Sequence, residues 1–178
     1  MLLELIQINY QYKFSFLIKI KIQNLMNKFI ILLLLIVQID VQAAIPKLST
    51  NLQNFLGSEA IKIISQPDSI ESFTVGPETT SKSKQLAGFP ILQVRPKLSS
   101  EQMLQLQNLI LDKNSYLFDV NKKCLFRPDI GLIIKKGSQE LKILLSFSCA
   151  IWMFVHNDEE KIEDFDPIYK QLQSIFPI

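Results

Sequence analysis

From position 141 to 155 every odd residue is apolar: Leu141, Ile143, Leu145, Phe147, Cys149, Ile151, Met153 and Val155. The even positions are mixed, with Lys142, Ser146 and Ser148 among Leu144, Ala150, Trp152 and Phe154. Successive side chains of a strand point to opposite sides, so a period of two over this length predicts one long strand with its odd face in a core. Gly137-Ser138, just before it, has the composition of a two-residue hairpin turn. Pairing Lys136 with Gln139 then sets Leu141 against Ile134, Ile143 against Leu132 and Leu145 against Ile130. The apolar faces of the two arms coincide.

Helical periods flank this hairpin. Leu48, Leu52, Phe55 and Leu56 predict a helix over 46–56, with Gly57 as its stop. Ser99 and Gln102 form a capping box ahead of the stripe Met103, Leu106, Leu109 and Ile110, which predicts a helix over 99–113 ended by a left-handed Asn114. Asp166-Pro167 is a favoured cap and first-turn pair for a last helix, 167–176, that buries Ile168, Leu172, Ile175 and Phe176. Two short apolar runs, 60–65 and 70–75, read as strands joined through Gln66-Pro67-Asp68-Ser69, and 91–95 as a third. The stretch 76–88 is polar and loop-like. The sum is an α+β domain: an antiparallel sheet centred on a 130–155 hairpin, packed by two or three helices.

The N-terminal part has another character. Asn27 and Lys28 precede the unbroken apolar run Phe29 to Val37, and a more polar stretch ends Val41-Gln42-Ala43. This is the three-zone pattern of a secretory signal peptide spanning 26–43, with cleavage between Ala43 and Ala44. The rival is an uncleaved membrane anchor, but Gln38 and Asp40 interrupt the run well short of the roughly 20 apolar residues that a span needs. Residues 1–25 lack caps, a clean period and turn chemistry, and read as an upstream extension, with Met26 as the true start; the rival is a genuine long n-region carrying Lys13, Lys19 and Lys21.

Charge follows this division. Of 19 basic and 17 acidic side chains, residues 1–43 hold four (Lys13, Lys19, Lys21, Lys28) and two (Glu4, Asp40), which leaves 15 of each in 44–178. The basic excess therefore lies in the leader, and nothing in the remainder points to nucleic acid. Membrane contact is expected only through an uncleaved N-terminal segment. A mature chain of this length, rich in Leu, Ile and Phe, is enough for one folded domain at 44–178.

Both cysteines fall in the hairpin region. The register places Cys149 opposite Phe126, with Cys124 one diagonal step away on the same face, and Pro128 invites a break that would bring the two together. With export and an even cysteine count, a Cys124–Cys149 disulfide is expected. The alternative is two buried thiols packing as small hydrophobes.

Candidate chemistry is sparse. His156 is the chain's single histidine, so a Cys/His zinc site from Cys124, Cys149 and His156 would have three ligands at most. No G-x-S-x-G motif or glycine-rich phosphate loop is present. The acidic run from Asn157 to Asp166 lacks EF-hand spacing and reads as a solvated linker whose acids favour the start of the last helix. Trp152, Phe154 and His156 form a possible binding patch, although a covering layer of helix over Trp152 and Phe154 is the more common arrangement for such a strand face. No catalytic residue, metal or cofactor is assigned.

The segment 98–155 resembles a family of uncharacterised exported bacterial proteins. Its pattern is a capped helix, a D-x-x-S-Y link, C-x-F-x-P, and a hairpin ending in C-F-x-C. The matching pieces are Asp112 to Tyr116, Cys124-Leu125-Phe126-Arg127-Pro128 and Ser146-Phe147-Ser148-Cys149. Ser146 stands where the pattern has its first cysteine, so dithiol chemistry at that pair would be absent. The resemblance implies an extracytoplasmic α+β domain and no activity. The expectation is a secreted or periplasmic, non-catalytic binding or structural protein. An enzyme using Cys124, Cys149 or His156, and a membrane-anchored protein, are the alternatives.

Overall fold

The computed structural model describes residues 48–76, 84–118, 120 and 122–178, with residue 23 alone before them. The expected signal peptide, its Ala43/Ala44 cleavage point and the 1–25 extension lie outside the described residues. The fold is mixed α+β. Helices α1 (Thr50–Leu56) and α2 (Ser58–Ser65) precede β1 (Ser69–Val75), β2 (Gln85–Leu86) and β3 (Phe89–Val94). Helix α3 (Ser100–Leu111) then leads to β4 (Ile130–Lys136), β5 (Gln139–Ser146), β6 (Ile151–His156), β7 (Glu159–Asp164) and α4 (Tyr169–Ile175). Among the described residues these strands form an antiparallel sheet in the order β2-β3-β1-β4-β5-β6-β7.

Local chemistry explains most of these elements. Ser99 and Gln102 make the reciprocal capping box at the start of α3. Ser49 caps α1, and Gly57 follows its last residue. In the β4–β5 hairpin Lys136 faces Gln139, with Leu141 on Ile134, Ile143 on Leu132 and Leu145 on Ile130. Gly137 supplies the positive φ of +57° that this tight turn needs. The β6–β7 turn has positive φ at both Asn157 and Asp158, the pattern of a type I′ turn.

Five expectations are corrected. Residues 60–65 lie in helix α2, not in a strand: its buried residues are Ala60, Ile63 and Ile64, a helical spacing that a short apolar run also permits. The run 141–155 is not one strand. Residues 147–150 turn the chain, with Ala150 at φ +53°, and Ser146 pairs with Ile151. That turn sets odd residues of β5 against even residues of β6, as in Ile143 with Phe154 and Leu145 with Trp152. The period ran unbroken because Phe147, Cys149 and Ala150, in the turn itself, are buried too.

The acidic run is not a linker, since Glu159–Asp164 is edge strand β7. Asn114 is not the left-handed stop of α3. The helix ends at an extended Asp112, whose carboxylate accepts from the Asn114 N–H at 2.9 Å and starts a 3-10 turn over Lys113–Ser115. Asp166 does not cap the last helix either. Asp166–Ile168 form a 3-10 turn ahead of α4, and the Asp166 carboxylate goes to Lys122 instead.

Among the described residues two apolar clusters hold the sheet. The main core joins the helices, through Leu52, Ile63, Ile110 and Leu172, to Leu132, Ile143, Leu145 and Trp152 of the sheet. A smaller cluster, Phe73, Val75, Leu86, Leu144 and Met153, lies on the opposite face. Helix ends are closed by side chains from elsewhere: Gln107 donates to the Ile64 carbonyl at 2.7 Å, and Tyr116 to the Ile110 carbonyl at 2.6 Å. These are carbonyls of last turns, which lack helical partners of their own.

Candidate functional site

A strap without regular secondary structure, residues 122–128, leads toward β4. It carries Cys124, which is bonded to Cys149 in the 147–150 turn with the two Cα atoms 5.9 Å apart. The bond arises from a loop meeting a turn and not from a ladder, because β4 begins only at Ile130 and β5 ends at Ser146. Cys149 is buried, whereas Cys124 and its neighbours Lys123 and Leu125 are exposed. Two residues further on, Phe126 meets the edge of Phe89 with ring centroids 5.9 Å apart. Asp129 closes the strap: its carboxylate accepts from the Phe147 N–H at 2.8 Å, and its own N–H donates to the Leu145 carbonyl at 2.8 Å.

Lys122 is the strap's charged anchor. Its ammonium donates to the Cys149 carbonyl at 3.0 Å, pairs directly with Asp166, and lies 3.7 Å from Oδ2 of Asp164. Asp164 is almost wholly buried at the end of β7. Burial raises its carboxyl from the ordinary 3.8, Lys122 pulls it back down, and Asp166 adds a further upward push. Nothing short-range in the sequence announces this cluster, since Lys122 and Asp166 are 44 positions apart.

His156 stands at the end of β6. Its Nδ1 lies 3.1 Å from the Glu140 carbonyl oxygen, which accepts when this nitrogen is protonated. Its Nε2 lies 3.2 Å from Oε2 of Glu59 on α2 and 3.3 Å from the Asn157 amide. Both nitrogens are therefore engaged, one by backbone and one by a carboxylate and an amide. The arrangement clips α2 to the β6–β7 turn.

The possible patch of Trp152, Phe154 and His156 does not assemble at the surface; Trp152 and Phe154 pack instead with the helices, the more common arrangement for such a face. Trp152 is 1% exposed and Phe154 3% exposed, both in the main core, because the turn at 147–150 swings even residues of β6 toward the helices. They sit among aromatic rings instead: Trp152 is 4.7 Å from Tyr116 and 5.1 Å from Phe154 between centroids. Tyr116 itself is buried. Desolvation, then Glu163 and Asp112, hold its phenol well above the usual value of 10.0.

A shallow open depression of about 490 Å³ lies between the end of α2 and the β4–β5 turn, lined by Lys62, Asp68, Lys136, Gly137, Ser138 and Gln139. Two of its polar groups are already used: Asp68 accepts from the Gly137 N–H at 2.7 Å, and Lys136 donates to the Gln66 carbonyl at 2.8 Å. Among the described residues no group of three or more His, Cys, Asp or Glu side chains is placed to hold a metal ion. No helix of the described residues is long and apolar enough to cross a membrane. Compared with known proteins, the chain matches no family model, no curated protein and no solved structure.

Proposed function

We propose that this is an exported, non-catalytic domain that works outside the cytoplasm of a bacterial cell, as a binding or structural protein. In this reading residues 26–43 direct export and are cut at Ala43/Ala44, and Met26 is the start of translation. The 130–146 hairpin is the framework on which the helices and the strap are assembled. The resemblance over 98–155 to exported bacterial proteins points the same way.

The observation that carries the proposal is the Cys124–Cys149 bond. Disulfides persist in oxidising compartments, and this one consumes both thiols of the chain.

Intact mass tests it. The chain is expressed from Met26 in a secreting bacterial host, and the exported product is weighed with and without reductant and thiol alkylation. The expected product begins at Ala44 and takes up alkylating reagent only after reduction. A product retaining 26–43 would replace export and cleavage by an anchored protein. Thiols that alkylate without reduction would replace the structural disulfide by a reactive-cysteine reading.

A further inference from the structure

Lys122 and Cys124 are two residues apart, and both reach the same target. The Lys122 ammonium takes the carbonyl oxygen of Cys149 at 3.0 Å, while the Cys124 sulfur takes the sulfur of that residue. The other end of the clasp is fixed: Asp164 closes β7 and Asp166 opens the 3-10 turn that leads into α4. We propose that Lys122 is a positioning residue for the disulfide, an ionic clasp that docks the strap against Cys149 before the sulfurs join and so raises the local concentration of one thiol about the other.

Chain statistics give the size of the effect. The cysteines lie 25 residues apart, and closing a flexible loop becomes less probable as about the 3/2 power of its length. With Lys122 docked on Cys149, only the short step from 122 to 124 remains to be positioned. On that scaling the clasp raises the effective concentration by about 40-fold if nothing else orders the strap. Phe126 on Phe89 and the Asp129 bonds also order it. About tenfold is therefore the expected share of Lys122, within the range of ordinary couplings between sites. The coupling is reciprocal: the closed disulfide strengthens the clasp by the same factor.

The chemistry is thiol–disulfide exchange with a disulfide oxidant, here oxidised glutathione. One protein thiolate attacks a glutathione sulfur and expels one glutathione thiolate. The second protein thiolate then attacks the mixed disulfide at the protein sulfur and expels the other. Two protein thiols are oxidised to one bond, one glutathione disulfide is reduced to two thiols, and the protons pass to the thiolates released.

The test is the equilibrium between oxidised and reduced full-length chain in glutathione buffers, read by alkylation and mass. This ratio compares two redox states of one folded protein. A substitution that merely weakens the fold equally in both states leaves it unchanged. The expected result is a fall of about tenfold for Lys122→Met, recovery of most of it in Lys122→Arg, and no change for Lys135→Met, whose ammonium lies near Glu71 at the surface. An unchanged ratio in Lys122→Met, or an equal fall in Lys135→Met, overturns the proposal. If Lys122→Met loses its native circular dichroism, Asp166→Asn takes its place, since Asp166 is 45% exposed and its loss leaves Lys122 paired with Asp164. The same direction is then expected, and an unchanged ratio overturns the idea. The outcome does not depend on export, so it is separable from the mass experiment above.

Discussion

Leu86 lies directly over Gly131. A Cβ built on Gly131 would collide with the Leu86 side chain and would lie 3.0 Å from Val75 Cγ1. This glycine therefore lets the β2–β3 hairpin pack against β4 and seal the smaller cluster of Phe73, Val75, Leu86, Leu144 and Met153. Overfilling a packed site costs about 1–3 kcal/mol, so Gly131→Ala is expected to lose about 2 kcal/mol in urea denaturation. In a double-mutant cycle, Leu86→Ala should recover part of the loss, because the clash is between these two positions. Strict additivity would show that the collision is not the cause.

The disulfide joins residues 25 positions apart, and a loop of that size is worth about 3 kcal/mol on chain-entropy grounds. Reduced and alkylated protein, or the Cys124→Ser/Cys149→Ser double variant, should unfold at correspondingly lower urea. A loss below about 1 kcal/mol, well under that loop-entropy figure, would mean that the unfolded chain already keeps the strap and the turn close together without the bond.

Asp164 predicts a pH dependence whose sign is opposite to that of a common surface carboxylate. Its folded-state carboxyl is raised by burial above the ordinary 3.8, so in the window just above that value the folded chain holds a proton that the unfolded chain has released. Stability is fully present below 3.8 and is lost as pH rises through the folded value. Asp164→Asn removes this titration. Urea midpoints for wild type and variant at about pH 3 and pH 7, on either side of this window, should therefore show the variant gaining relative to wild type at the higher pH. A relative loss would show that the attraction of Lys122 outweighs burial.

Tyr116 donates to the Ile110 carbonyl at 2.6 Å from a buried position. Tyr116→Phe leaves that last-turn carbonyl without its partner and should cost about 1–2 kcal/mol. Because the phenol is held above 10.0, alkali should destabilise the wild-type chain as unfolding releases the proton. Ultraviolet absorbance of tyrosinate during an alkaline titration should show this phenol ionising together with loss of near-ultraviolet circular dichroism. Ionisation well before that loss would contradict its burial.

Signals that act over a few residues were legible. The Ser99/Gln102 capping box, the Gly137-Ser138 turn and the register of β4 on β5 all follow from chemistry within a turn or across one tight hairpin. The expected disulfide is also present, although the route to it differed, since the strap and a turn bring the cysteines together where a continued ladder had been expected. The candidate patch failed at one place, the 147–150 turn. Its residues are as apolar as the strands on either side, so periodicity alone carried the strand through it and assigned Trp152 and Phe154 to the wrong face.

The sequence by itself determined the mixed α+β class, the hairpin register, the capped central helix and the two partners of the disulfide, because each rests on local turn chemistry, local periodicity or the scarcity of cysteine. Only the tertiary structure decided that 58–65 is a helix, that the acidic run pairs as β7, and that Lys122 finds Asp164, Asp166 and Cys149. It also decided that Glu59 meets His156 across 97 positions. Such contacts depend on how the chain closes its long loops and on which apolar face finds a covering layer, and no short window of residues encodes either.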